Sequence, residues 1–162
     1  MQSRNLPKIL VALGLACLLH SPARAQEGVE PLDQAAMKLA KELTTAGAKL
    51  FEKSDGAALA AQYVDDGEIV ETTVEAFGAP LVKIHRGTDA IKKIYGIANA
   101  VARMSPTNEV RYARFIKPDT LVINGDFLVT DEGKTTRFHF TQVRRKEGDT
   151  WKIVSLELIL RK

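Results

Sequence analysis

A strand carboxylate, two histidines and a run of bases are the side chains in this 162-residue sequence that could take part in chemistry. Glu71 lies in the β-branched stretch Glu68–Val74, where period two puts Ile69, Glu71 and Thr73 on one face. A carboxylate held among apolar neighbours has its charged form disfavoured, which suits it to taking a proton from beside a carbonyl. His85 and His139 have neither a cysteine nor a partner histidine one helical turn away, so neither points to a metal. Arg144-Arg145-Lys146 leads into a turn and, with Arg111 and Arg114, reads as solvated charge at strand ends. Phosphate-cradling glycine loops, dinucleotide fingerprints, nucleophile elbows and paired-histidine zinc motifs do not occur in the sequence, and no cofactor or metal is expected.

These residues need elements to hold them, and the pattern supplies a mixture of helix and strand. Leu32, Ala36, Leu39, Leu43, Ala46 and Leu50 form an amphipathic stripe, with Asp33 placed to cap the helix. Asp55 can cap a second, shorter helix in which Leu59 and Tyr63 are one turn apart, ended by Asp65-Asp66-Gly67. Glu68–Val74 and Leu81–His85 alternate as strands around a loop. Gly87-Thr88-Asp89 opens a third helix with Ile91, Ile94, Ala98 and Val101 on its apolar face. Four strands follow, Glu109–Lys117, Thr120–Val129, Thr136–Arg145 and Trp151–Leu160, joined so tightly that they must be antiparallel neighbours. In the last strand Val154, Leu156, Leu158 and Leu160 point one way, while Ile153, Ser155, Glu157 and Ile159 point the other. The preceding strand sets Phe138, Phe140 and Gln142 against His139, Thr141 and Val143. With apolar residues on both faces, the sheet is expected to cover helices on one side and, through Ile153, Ile159 and Val143, to pair with a second copy on the other.

The N-terminus has the three parts of an export signal. Arg4 and Lys8 precede the apolar run Ile9–Leu19, and Ala23-Arg24-Ala25 offers a cleavage site before Gln26. The run is too short to span a bilayer. Cys17, the only cysteine, would leave with it, or else carry a lipid. The chain has 23 Lys and Arg against 20 Asp and Glu. Loss of Arg4, Lys8 and Arg24 balances the remainder at 20 against 20, so the basic character belongs to the leader. The expected product is a periplasmic or secreted domain over 26–162 that binds neither nucleic acid nor membrane.

The strings Asp55–Asp66, His85-Arg86-Gly87-Thr88-Asp89-Ala90-Ile91 and Trp151-Lys152-Ile153-Val154 resemble the SnoaL-like branch of the nuclear transport factor 2-like superfamily, over Asp33 to Leu160. The resemblance implies an α+β fold in which a cone-shaped, curved antiparallel sheet packs against the N-terminal and middle helices and encloses a pocket, often in a homodimer. Tyr63, Ile69, Thr73, Tyr95, Phe138, Phe140, Leu156 and Leu158 would line that pocket, and the aromatic Phe77 and Trp151 are further candidates. The segment Tyr63–Glu71 is also similar to the ketosteroid isomerase stretch that ends on its catalytic carboxylate, which falls on Glu71. The position of that family's helix-one tyrosine falls on Gly47, and that of its second acid near Gln142, whose amide is a weaker donor.

Family members include isomerases, cyclases, dehydratases and plain binding domains, and three functions stay open. The first is an exported domain that binds a small hydrophobic molecule. The second is a slow isomerase- or cyclase-like enzyme using Glu71 and, more weakly, Gln142. The third is a dimeric interaction domain with a filled pocket. An enzyme should bring several polar groups together. Glu71 and Gln142 are the only two the sequence brings forward, which favours binding.

Overall fold

The computed structural model describes residues 33–74, 79–100, 105–131 and 133–161. The segment expected to be an export signal, with Cys17, and also Leu32, Phe77 and Val101, lie outside the described residues. Helix α1 spans Gln34–Glu52 and begins where expected, because the Asp33 carboxylate accepts from Ala36 N–H at 3.0 Å. Its buried stripe is Ala36, Ala40 and Thr44, whereas Ala46 is exposed. The helix is rotated toward its small residues, which let it lie close on the sheet. There Asn108 Nδ2 donates to the Thr44 carbonyl at 2.9 Å.

Helix α2, Gly56–Ala60, is capped by Asp55 through Ala58 N–H at 2.9 Å. Tyr63 does not continue it, contrary to the pattern. Strand β1, Tyr63–Val74, starts there because Ile153 N–H donates to the Gln62 carbonyl at 2.7 Å and draws the chain alongside the last strand. Strand β2, Leu81–Arg86, returns antiparallel to β1, with Ile69 opposite His85 and Glu71 opposite Lys83. Gly87 then takes φ +84°, a left-handed conformation that suits glycine, and its N–H donates to the Gly67 carbonyl at 2.8 Å. That turn launches α3, Thr88–Ala100, with Ile91 fully buried.

Strands β3 (Ser105–Lys117), β4 (Thr120–Asp131), β5 (Lys134–Glu147) and β6 (Thr150–Arg161) form the expected antiparallel meander. Its last strand settles beside β1 in the parallel sense, so the six described strands run β2-β1-β6-β5-β4-β3 in a mixed, mostly antiparallel sheet. This overturns the expected cone. The sheet is open, with β2 and β3 as separate edges, and it is neither closed nor strongly curled. A wholly antiparallel sheet also fails, because β1 and β6 are joined through a helix and a meander rather than a hairpin.

A second correction concerns β6. Val143 faces Ser155 and Arg144 faces Ile153, so Val154 is an unpaired bulge residue. The extra residue resets the alternation and brings Ile153 to the side of Leu156 and Leu158, where it is buried. Ile153 is therefore not on the outer face, where self-association would need it. That outer face instead carries Asp126, which is fully buried under three bases. It bonds His139 Nδ1 at 2.5 Å and Arg137 Nη1 at 3.3 Å, and it also pairs with Arg111. Among the described residues no helix is long and apolar enough to cross a membrane.

Candidate functional site

A cavity of about 470 Å³ lies between the helices and the inner sheet face. That volume is within the range of ~300–1,000 Å³ typical of small-molecule pockets. Because the open sheet cannot enclose it, the helices form the opposite wall with Thr44, Gly47, Ala48 and Phe51 of α1, Leu59 of α2 and Ile94 and Tyr95 of α3. From the sheet come the apolar Ile69, Phe127, Val129, Phe138, Phe140, Ile153, Leu156 and Leu158, interrupted by the polar Glu71, Asn108, Lys134, Thr136, Gln142 and Arg144.

Of the residues expected around a pocket, Tyr63, Ile69, Tyr95, Phe138, Phe140, Leu156 and Leu158 lie on this cavity. Thr73 does not. It borders a smaller cleft of about 180 Å³ against β2, beyond the reach of the helices. Trp151 is also absent from the wall; its ring packs on Phe115 at 5.8 Å between centroids.

Glu71 is on the cavity wall, but not as a desolvated base. Its side chain is 40% exposed and its Oε2 lies 3.2 Å from His85 Nε2. Glu71 sits near the β2 edge, partly open to solvent and with a polar partner at hand. Glu71 is therefore not the buried carboxylate that its place in an apolar strand predicts. The Glu71–His85 contact itself follows from a register that places His85 opposite Ile69, two residues from Glu71 on the same face, so the two side chains meet as diagonal neighbours.

Gln142 is 7% exposed and also lines the cavity. Its Oε1 accepts from Arg144 Nε at 2.6 Å, which turns its amide into a holder of the guanidinium. Arg144 departs from the solvated run of bases to which its sequence neighbours point. Unlike Arg145 and Lys146, which are exposed, it is 2% exposed and its side chain reaches the cavity. Its other bonds go to the Trp151 carbonyl at 3.1 Å and to Gln62 Oε1 at 3.2 Å. Burial lowers its pKa to about 10, with Tyr63 and Tyr95 opposing the shift, so it is fully protonated at neutral pH.

Tyr63 and Tyr95 share a hydrogen bond of 2.8 Å between their hydroxyls. Burial, and then the neighbouring Tyr95, push the Tyr63 phenol well above its ordinary value; burial also raises Tyr95. Groups whose folded values are raised contribute stability that is complete below about pH 10 and is lost as pH climbs through those folded values. An absorbance titration is expected to show both phenols ionising above pH 10, together with loss of the near-ultraviolet circular dichroism. The Tyr63→Phe/Tyr95→Phe double variant should lack that late phase. Ionisation of both near pH 10 in the intact fold would contradict a buried pair.

Among the described residues no cluster of three or more His, Cys, Asp or Glu is arranged to hold a metal ion. No family model and no curated protein matches the chain. Solved structures with a similar fold do. An NTF2-like protein with a cystatin-like fold from Novosphingobium aromaticivorans is 19% identical, covering 82% of this chain and 92% of that one at a TM-score of 0.54. An NTF2-like protein of unknown function from Shewanella oneidensis is 12% identical over 77% of this chain and 97% of that one, TM-score 0.60. A domain of unknown function with a cystatin-like fold from Nostoc punctiforme is 16% identical over 80% and 79%, TM-score 0.59. At these identities the likeness establishes the NTF2-like, cystatin-like fold alone.

Proposed function

We propose that this domain binds a small, largely apolar molecule in the cavity between its helices and its inner sheet face. The observation that carries this reading is the wall itself: aromatic and aliphatic side chains from all three helices and four strands, with Gln62 and Gln142 bonded to Arg144 and Glu71, Asn108, Lys134 and Thr136 as separate polar points on it. The likeness of Asp55–Asp66 and His85–Ile91 to SnoaL-like proteins is a further reason to look for a pocket ligand. In the same reading the domain acts after export, released before Gln26; intact mass of protein recovered outside the cytoplasm tests this, and a lipid mass on Cys17 would replace it with an anchored form.

The binding test uses Nile red, a neutral apolar dye. Saturable one-to-one fluorescence enhancement with micromolar affinity is the expected result. Glu71→Gln should leave it unchanged, since Glu71 is at the margin and keeps its shape as Gln. Absence of saturable binding by Nile red would remove the binding reading.

A second reading is kept because Glu71 and His85 are in contact at the cavity's edge, a carboxylate and an imidazole that can exchange a proton. In that reading Glu71→Gln would abolish the turnover of a substrate found by screening while leaving Nile red binding intact.

A further inference from the structure

Resting on the binding reading above, we infer that the cavity takes an amphipathic carboxylic acid, with its carboxylate on Arg144 and its apolar body along the inner face of β5. Arg144 is a cation that the protein buries without an anion. Among the described residues its guanidinium pairs with no Asp or Glu, and its three protein bonds all go to neutral oxygens: Gln142 Oε1, Gln62 Oε1 and the Trp151 carbonyl. A buried charge without an opposite charge is costly, and folded proteins pair such groups or use them. The low pKa that burial gives Arg144 still leaves it charged at neutral pH.

Its surroundings are donors as well. A guanidinium has five N–H groups, so one remains on each terminal nitrogen. Because arginine cannot accept, Gln62 and Gln142 must turn their amide oxygens to it, which leaves their NH₂ groups to the cavity they both line. The Tyr63–Tyr95 pair spends one of its two hydroxyl protons internally and has the other to give. A pole made of N–H and O–H donors around a fixed cation matches a carboxylate, whose two oxygens accept in the plane of the guanidinium fork.

The remainder of the cavity says what the acid must carry. Thr136, Phe138 and Phe140 precede Gln142 and Arg144 on the same face of β5, and Lys134 opens the row. At ~3.3 Å per residue, the row from Lys134 to Arg144 extends along the strand for up to about 33 Å. An elongated apolar chain or ring system fits that wall, with its acid at the buried end.

The test is a titration of the mature chain with matched pairs, decanoate against decanol and 2-naphthoate against 2-naphthylmethanol, each displacing Nile red at neutral pH. The acids are expected to bind about 10- to 100-fold more tightly than their alcohols, the value of a charge-assisted hydrogen-bonded pair. Arg144→Met should erase that preference while alcohol binding stays, Arg144→Lys should keep part of it, and Lys117→Met, exposed at the end of β3 and away from the cavity, should leave it whole. The comparison in the unaltered protein decides the matter even where Arg144→Met does not fold. Equal binding of acids and alcohols overturns the inference and leaves the binding reading standing. Transfer of the preference to Lys134 also overturns it. Failure of Nile red to bind removes the binding reading and this inference with it, whereas Nile red binding that none of the four probes displaces overturns this inference alone.

Discussion

Gly125→Ala is expected to cost at least about 3 kcal/mol of stability, at the upper end of what overpacking a buried site costs. Gly125 lies in the middle of β4, between Val110 of β3 and Phe140 of β5. A Cβ there would overlap the Glu109 carbonyl oxygen and come within 2.9 and 3.0 Å of two ring carbons of Phe140. The carbonyl is backbone and cannot swing away, so β3 and β4 would have to separate. The aromatic ring could move only into the cavity it lines. A double effect follows: a lower midpoint in urea denaturation and weaker Nile red binding per folded molecule. A cost below about 1 kcal/mol would mean that the β3–β4 pairing yields far more easily than its register suggests.

Truncating Ile69 to Ala should cost about 3 kcal/mol, within the range for removing a buried isoleucine side chain. Ile69 is 1% exposed, sits opposite His85 on β2 and Leu156 on β6, and joins the core to the cavity wall. The lost methyl groups would enlarge a space that already exists, since the β1–β6 pairing cannot collapse onto it. Ile116 is the control. It is half exposed on β3, and its change to Ala should move stability by no more than ~0.5 kcal/mol. Equal costs at the two sites, measured by urea denaturation, would refute the placement of Ile69 in the core.

Both results depend on elements that the sequence largely makes legible. Caps at Asp33 and Asp55, the turn at Gly87 and the tight joins of the meander act over a few residues, and each forms as its local chemistry dictates. Alternation along β5 likewise put Phe138, Phe140 and Gln142 on one face. The same alternation extended by two residues reaches Arg144, but its place in a run of bases argued for solvent.

Local sequence thus carries the set of elements, their order, and most of the apolar residues that meet between helices and sheet. Tertiary structure decided how the sheet ends and which polar groups the cavity keeps. Whether a meander closes on itself or stays open depends on pairing between strands distant in sequence, and here β6 chose β1 in the parallel sense and left β2 and β3 as edges. One bulge at Val154 reversed the side on which Ile153 falls, a change that strict period two cannot express. Glu71 became a half-exposed partner of His85 because β2 placed the imidazole beside it, and Arg144 became a buried cation because Gln62 and Gln142 held it there. Burial of a charge is a property of everything packed around it, and no stretch of neighbouring residues contains that information.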